Sequence, residues 1–303
     1  MMGPGIALLF VRAGFQTTLW GPTKKFMQAG IDNYERNIDD MVKAGFMSME
    51  EVIKCKSRIR FTHDLADAAS QTDFVCEAIP EILDLKQDLF AELDKLAPMH
   101  AILTSNTSTL MPTDISRKMI HKRRMLVAHF WNPAHLVPLV EICGHADTDP
   151  DVVSVTMQIM QKIGKEPVHI KKEILGFLGN RIMHAMNREA LALVSQGVCT
   201  PKDIDKVVLT SFGPRFANLG LLEYLDFCGL DHIERIQNYL YPDLDNTPGP
   251  LPVIQQKVKD GELGCKSGKG LFDWNERDKD GPRARRDQEF IRRMREKAGT
   301  DDE

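Results

Sequence analysis

The chain has no apolar run approaching the ~20 residues that a membrane span requires. It also lacks the basic-then-apolar opening of an export signal. These absences point to a cytoplasmic protein, or to an organellar one whose targeting segment was lost with the N-terminus. The six cysteines (Cys55, Cys76, Cys143, Cys199, Cys228 and Cys265) are scattered, with no C-x-x-C pair. That fits reduced thiols rather than a disulfide scaffold, and no residue is assigned to a metal. There is no basic excess: the formal net charge is −4, and nine histidines shift it only modestly. General nucleic-acid binding is therefore not expected. No internal repeat or low-complexity tract is present.

What is present is a normal globular mixture, 43% apolar and 27% charged over 303 residues. This is enough to build a sizeable core in one large domain or two ordinary ones. "GFQTTLW" reads as a strand ending at the turn "GPT", and residues 24–59 are helical in pattern. "DFVCEAI" reads as a buried parallel strand, "LDLKQDLFAELDKLA" as an amphipathic helix and "AILTSNTS" as a strand. "MPTDIS" opens a helix with Pro112 in its first turn. "RMLVAHF" and "LVPLVEI" are strands around a "WNPAH" turn. The helix "DPDVVSVTMQIMQKIG" is capped by Asp149 or Asp151, and "EPVHIKK" is a last strand. Strands alternating with helices over residues 1–172 imply a parallel doubly wound α/β sheet. The almost wholly helical pattern beyond implies a second, all-α domain over 173–303. The basic tail "RARRDQEFIRRMREK" reads as a solvated terminal helix, with a phosphate or partner contact as the alternative.

The opening "MMGPGIALLF" resembles the end of a phosphate-binding glycine turn, with Gly3 as the glycine that packs helix on strand. The strand and the first glycines of such a turn are expected upstream of residue 1. Without them, poor folding and weak cofactor binding are the expectation for the chain as written. The next strand ends at Gly21, where a dinucleotide fold usually carries an acid for the adenine ribose. Thr23, Lys24 and Lys25 follow, either solvated or placed to meet a 2′-phosphate.

Four stretches, "EAIPEILDLK", "SNTSTL", "AHFWNPAHLVPLVEI" and "GFLGNR", occur in this order, followed by "GCKSGKGLFDW". Together they resemble the 3-hydroxyacyl-CoA dehydrogenase family over nearly the whole chain. The resemblance implies a Rossmann-type domain, a nicotinamide cofactor (NAD, with NADP open because of Gly21), and a helical domain that forms a homodimer. It implies His129 as the acid–base group and Glu141 as the carboxylate that orients it. Ser108 would share charge on the substrate oxygen, or serve as a cap. Asn180 would reach toward the substrate and the histidine, while Asn106 would stand beside the cofactor. Glu81 and Lys86 would sit beside the nicotinamide ribose and ring, the alternative being a solvated charge pair.

The substrate is less defined. "SFGPRFANLGLLEYLDFCGLD" resembles the lambda-crystallin and L-gulonate dehydrogenase branch, and Arg215 within it would hold a free carboxylate or stand exposed. "KSGKGLFDW" instead resembles the hydroxybutyryl-CoA type. The expected reaction is hydride transfer between a nicotinamide and C3 of a short 3-hydroxyacyl-CoA. Alternatives are a free 3-hydroxy acid such as gulonate or carnitine, a diketo ester, or a non-catalytic crystallin-like use of the fold.

Overall fold

In the computed structural model, which describes residues 2–299, the chain divides into two compact units. One comprises the residues up to 180 together with those from 284 on, and the other residues 181–283.

The first unit contains two sheets. Strands β1 (Thr17–Trp20) and β2 (Ile59–Thr62) pair in parallel. Strands β3 (Phe74–Glu77), β4 (Ile102–Ser105), β5 (Met125–Phe130), β6 (Leu139–Gly144) and β7 (Glu166–Ile170) lie side by side in that order. All pairs are parallel except β5–β6. This departs from an all-parallel sheet because residues 131–138 form a turn too short for the crossover a parallel return needs.

β1 and β3 share no ladder, and each pairs on one side only among the described residues. The strand expected between them from the sequence would precede residue 1 and so lies outside the described residues. Helix α1 (Gly3–Arg12) touches both sheets: Gly3 lies against Leu19, and the rings of Phe10 and Phe74 are 5.8 Å apart. Phe74, Val75 and Cys76 are half-buried, not fully buried as "DFVCEAI" suggests, because β3 has a strand on one flank only.

α1 is apolar all round, and Pro4 to Val11 are all buried. Ile6, Leu9 and Phe10 pack on Leu126, Ala128 and Phe130 of β5 and on Val140 and Ile142 of β6. Leu8 and Val11 pack on Tyr34, Ile38 and Met41 of α2 (Lys24–Lys43) and on Val52 and Cys55 of α3 (Met49–Arg58). Each such fully buried side chain contributes roughly 1.5–3 kcal/mol.

Residues 24–59 are thus two helices rather than one. The break falls at Gly45, whose φ of 80° lies in the left-handed region, and at Ser48, which forms a reciprocal capping box with Glu51. Beyond it, "IRFT" becomes β2, and α4 (Leu65–Ala69) follows, capped by Asp64.

The opposite face of the sheet is covered by α5 (Leu83–Leu96) and α6 (Pro112–Ile115), with Phe90, Leu93 and Ile115 against Leu103 and Met125. Helix α7 (Pro150–Lys162) is capped by Asp149, whose carboxylate accepts from the Asp151 amide.

Helix α8 (Gly179–Ser195) begins in the first unit. The second unit adds α9 (Pro201–Thr210), α10 (Phe212–Phe216), α11 (Leu221–Cys228), α12 (Leu230–Leu240) and α13 (Pro252–Lys259). The last helix, α14 (Gly281–Ala298), returns to the first unit instead of closing a helical domain over 173–303. Phe290, Ile291 and Met294 pack on the α1–α2–α3 cluster, and Arg295 donates to the Ala44 carbonyl at the end of α2. Among the described residues no helix is long and apolar enough to cross a membrane.

Candidate active site

Strand periodicity places Met125, Val127 and His129 on one face of β5, opposite the face that α1 covers. Glu141 of β6 stands directly across the ladder from His129. Its Oε2 lies 2.8 Å from the imidazole Nδ1. Both groups are buried, His129 at 4% exposure and Glu141 at 1%.

Four donors converge on the Glu141 carboxylate. Oε2 accepts from His129 and from the Trp131 indole Nε1 at 3.2 Å. Oε1 accepts from the backbone amides of Leu178 and Gly179, each at 2.9 Å. Burial alone would raise the carboxyl pKa. The hydrogen bonds from His129, Gly179 and Trp131 outweigh it and hold the group below its ordinary value. A carboxylate fixed on Nδ1 leaves Nε2 as the imidazole nitrogen open to proton exchange. Among the described residues Nε2 has no hydrogen-bond partner. The rings of Phe177 and Trp131 flank the imidazole at 5.5 and 5.6 Å.

The residues after β7 shape this site from the other side. Gly176 has a φ of 77° and Phe177 a φ of 54°, the latter a left-handed conformation that a bulky residue rarely adopts. The tight turn buries the Phe177 ring beside His129 and aims the next two amides at Glu141. Gly179 has no room for a side chain, because a Cβ there would stand 2.4 Å from the Trp131 ring.

Asn180 and Ser108 come together as well, with the Asn180 amide nitrogen donating to the Ser108 carbonyl at 2.9 Å. Ser108 sits in the loop after β4, which Glu81 organises. Glu81 Oε1 accepts from Thr107 Oγ1 and from the amides of Ser108 and Thr109, both at 3.0 Å. Asn106 ties β4 to β5, its Oδ1 accepting from the Phe130 amide at 2.7 Å.

Three assignments change in character. Lys86 is neither solvated nor open to a ligand: its side chain is 1% exposed. Its Nζ donates to Glu77 Oε1 at 2.8 Å and stands 3.5 Å from Glu81. Glu81 serves the 107–109 loop with one oxygen and Lys86 with the other, so both act first as scaffolding for the loop that carries Ser108. Gly3 is not tightly packed, since a Cβ there would meet Leu19 at an ordinary 3.5 Å. The fourth residue, Arg215, keeps to its alternative reading: it stands exposed in the second unit, with its guanidinium stacked on the Tyr224 ring 4.4 Å from the centroid.

Glu77, Trp131, Phe177 and Gly179 are site residues that the sequence reading passes over. Each lies inside a quoted motif, but its role comes from reach across a turn, which spacing does not reveal.

The residues present fit a dinucleotide in part. Helix α1 opens without a side-chain cap, and since Pro4 has no N–H, the amides of Gly3 and Gly5 are those its first turn could offer an anion. At the end of β1, Gly21 leaves no space for the expected acid. A Cβ there would lie 2.9 Å from the Met27 amide nitrogen in the first turn of α2.

Comparison with known proteins agrees with this geometry. Residues 1–174 match the 3-hydroxyacyl-CoA dehydrogenase NAD binding domain and residues 176–274 its C-terminal domain. The chain belongs to the 3-hydroxyacyl-CoA dehydrogenase family. A probable 3-hydroxybutyryl-CoA dehydrogenase of Bacillus subtilis is 32% identical over 277 residues, covering 91% of this chain and 95% of its own. A lambda-crystallin homolog of Homo sapiens is 34% identical over 259 residues, covering 83% and 80%. The solved structure of 5-formyl-3-hydroxy-2-methylpyridine 4-carboxylic acid 5-dehydrogenase, described as an NAD+-dependent dismutase, superposes with a TM-score of 0.90. It is 29% identical, over 99% of this chain and 96% of its own. This family member is an oxidoreductase that uses a nicotinamide cofactor.

Proposed function

We propose that this protein interconverts an alcohol and a carbonyl at the carbon beta to a carboxyl group, with His129 as the acid–base residue. The observation that carries this is the buried His129–Glu141 pair with Nε2 left open. A bound nicotinamide would supply the acceptor or donor of the hydride. His129 accepts the hydroxyl proton at Nε2 as the C–H bond gives up its electron pair and the C–O bond becomes C=O. Glu141 stabilises the imidazolium that results. In the reverse direction the same nitrogen returns the proton to the oxygen. Ser108 and Asn180, held together beside the loop that Glu81 fixes, are the polar groups proposed to meet the substrate oxygen.

A free carboxylate is our first reading of the substrate and an acyl-CoA thioester the second, reversing the order that the sequence motifs suggest. Supporting the first are the likeness to the pyridine carboxylate enzyme along almost the entire chain, α14 included, and the presence of Arg215. The hydroxybutyryl-CoA relative supports the second. The cofactor we propose is NAD. A second reading, NADP, is favoured by the first turn of α2, which carries exposed Lys24 and Lys25 and no acid. We further propose that two copies pair through the helical unit.

The test is His129→Gln. It should fold as the parent does and lose roughly 10²–10⁴-fold in kcat. Retention of more than a tenth of the rate would overturn the assignment. The assay panel is acetoacetyl-CoA with NADH or NADPH, and 3-hydroxybutyrate and L-carnitine with NAD or NADP. Arg215→Met should raise KM for the free acids and leave thioester turnover alone.

A further inference from the structure

Trp131 supplies a fourth hydrogen-bond donor to Glu141 that is separate from the backbone and from the histidine. Its indole N–H reaches the same oxygen, Oε2, that the imidazole uses. We propose that Trp131 is a positioning residue that sets the basicity of the His129–Glu141 pair by sharing that oxygen. This inference rests on the reading of His129 as the acid–base group.

The physical argument is competition. A carboxylate oxygen that accepts two donors offers less negative charge to each. The other oxygen is already occupied by the Leu178 and Gly179 amides, so Glu141 cannot rotate to compensate. Removing the indole N–H returns the full charge of Oε2 to the imidazole and stabilises its protonated form. A protonated imidazole cannot accept the alcohol proton, so the way Oε2 is shared bears on how readily Nε2 takes it.

The placement of Trp131 is enforced. Its ring fills the space that a side chain at position 179 would occupy, and the bare Gly179 backbone packs against it. The other groups around the pair do not compete for the role. Phe177 presents only a ring. Cys143, two residues along β6 from Glu141, has its thiol pushed up to about 11 by burial, with Glu173 adding to the effect, so it stays neutral. Glu141 is the charged group on the imidazole.

The experiment follows the ring directly. Protein with isotopically labelled histidine is titrated by NMR, and the His129 signal is assigned by its disappearance in His129→Gln. Two variants are compared with the parent: Trp131→Phe, and incorporation at 131 of 3-benzothienylalanine, which keeps the shape and lacks the N–H. The titration midpoint of the His129 signal should move up by about half a pH unit or more in both, a shift typical of losing one hydrogen bond to a charged partner. The isostere should melt with the parent, separating the effect from lost packing. With a working substrate, the acidic limb of the oxidation profile should move by the same amount. A midpoint unchanged in the isostere overturns the proposal. If the midpoint moves but His129→Gln turns over normally, the proton-transfer reading fails and the tuning of the pair stands.

Discussion

Lys165 is the most unusual charge in the first unit. Only 6% exposed, it sits just before β7 and sends its amine into the turn between the His129 and Glu141 strands. There it donates to the carbonyls of Ala134 and Val137 at 2.6 and 2.7 Å. Two acceptors match the two hydrogens of a neutral amine. Burial pushes its pKa down to about 7, and the nearby Arg12 charge adds to the effect. An unfolded lysine keeps its proton to about pH 10.4. Between these values the unfolded chain binds more protons, so this residue makes stability rise with pH above 7 and contributes no slope below it. Lys165→Met should remove that rise and strand two carbonyls, costing roughly 2 kcal/mol or more. Urea unfolding at pH 7 and pH 9 should show the gap between parent and variant widening at the higher pH. Parallel curves at both would mean the amine is charged throughout.

Among the elements, α14 carries the largest difference between sequence and structure. Its run of arginines makes it look solvated, and two of them, Arg292 and Arg293, pair with Glu289 on the same helix. The apolar stripe of Phe290, Ile291 and Met294 is what decides its position. Phe290→Asp with Met294→Asp should therefore lower the stability of the first unit by about 2–4 kcal/mol, a partial share of full side-chain burial. A thermal melt unchanged by the pair would show that the helix is dispensable. The same contrast explains what could be read elsewhere. The two strands carrying His129 and Glu141 and the short turn between them were legible, and the pairing of the two residues came from the family resemblance; the antiparallel register that sets them face to face was not read, although the short turn demands it. The split of residues 24–59 was not, because Gly45 and the Ser48 capping box are local signals inside a long amphipathic pattern. Phe177 was hidden for another reason: nothing in a residue type announces a left-handed backbone. Gly21 was legible as a missing acid. Its cause, the close approach of α2, lies in packing alone.

At the scale of the molecule, the two units differ in how much they bury. The first has several layers of fully buried side chains, whereas α9 to α13 bury no residue completely. Phe227 is 82% exposed and Tyr239 90%, with Leu209, Leu222 and Leu230 also open. Contiguous exposed apolar surface marks association sites. The proposed homodimer would cover them, so Leu222→Lys with Phe227→Lys should yield a monomer by light scattering at micromolar concentration. A parent that is itself monomeric would remove the proposal.

The return of α14 also has a consequence in time. The ribosome delivers the chain in one direction, at about 5–20 residues per second. The helix whose Phe290, Ile291 and Met294 pack on the α1–α2–α3 cluster emerges only after the whole second unit has been made. For several seconds the nascent first unit must therefore persist with that face open, until α14 arrives to close it.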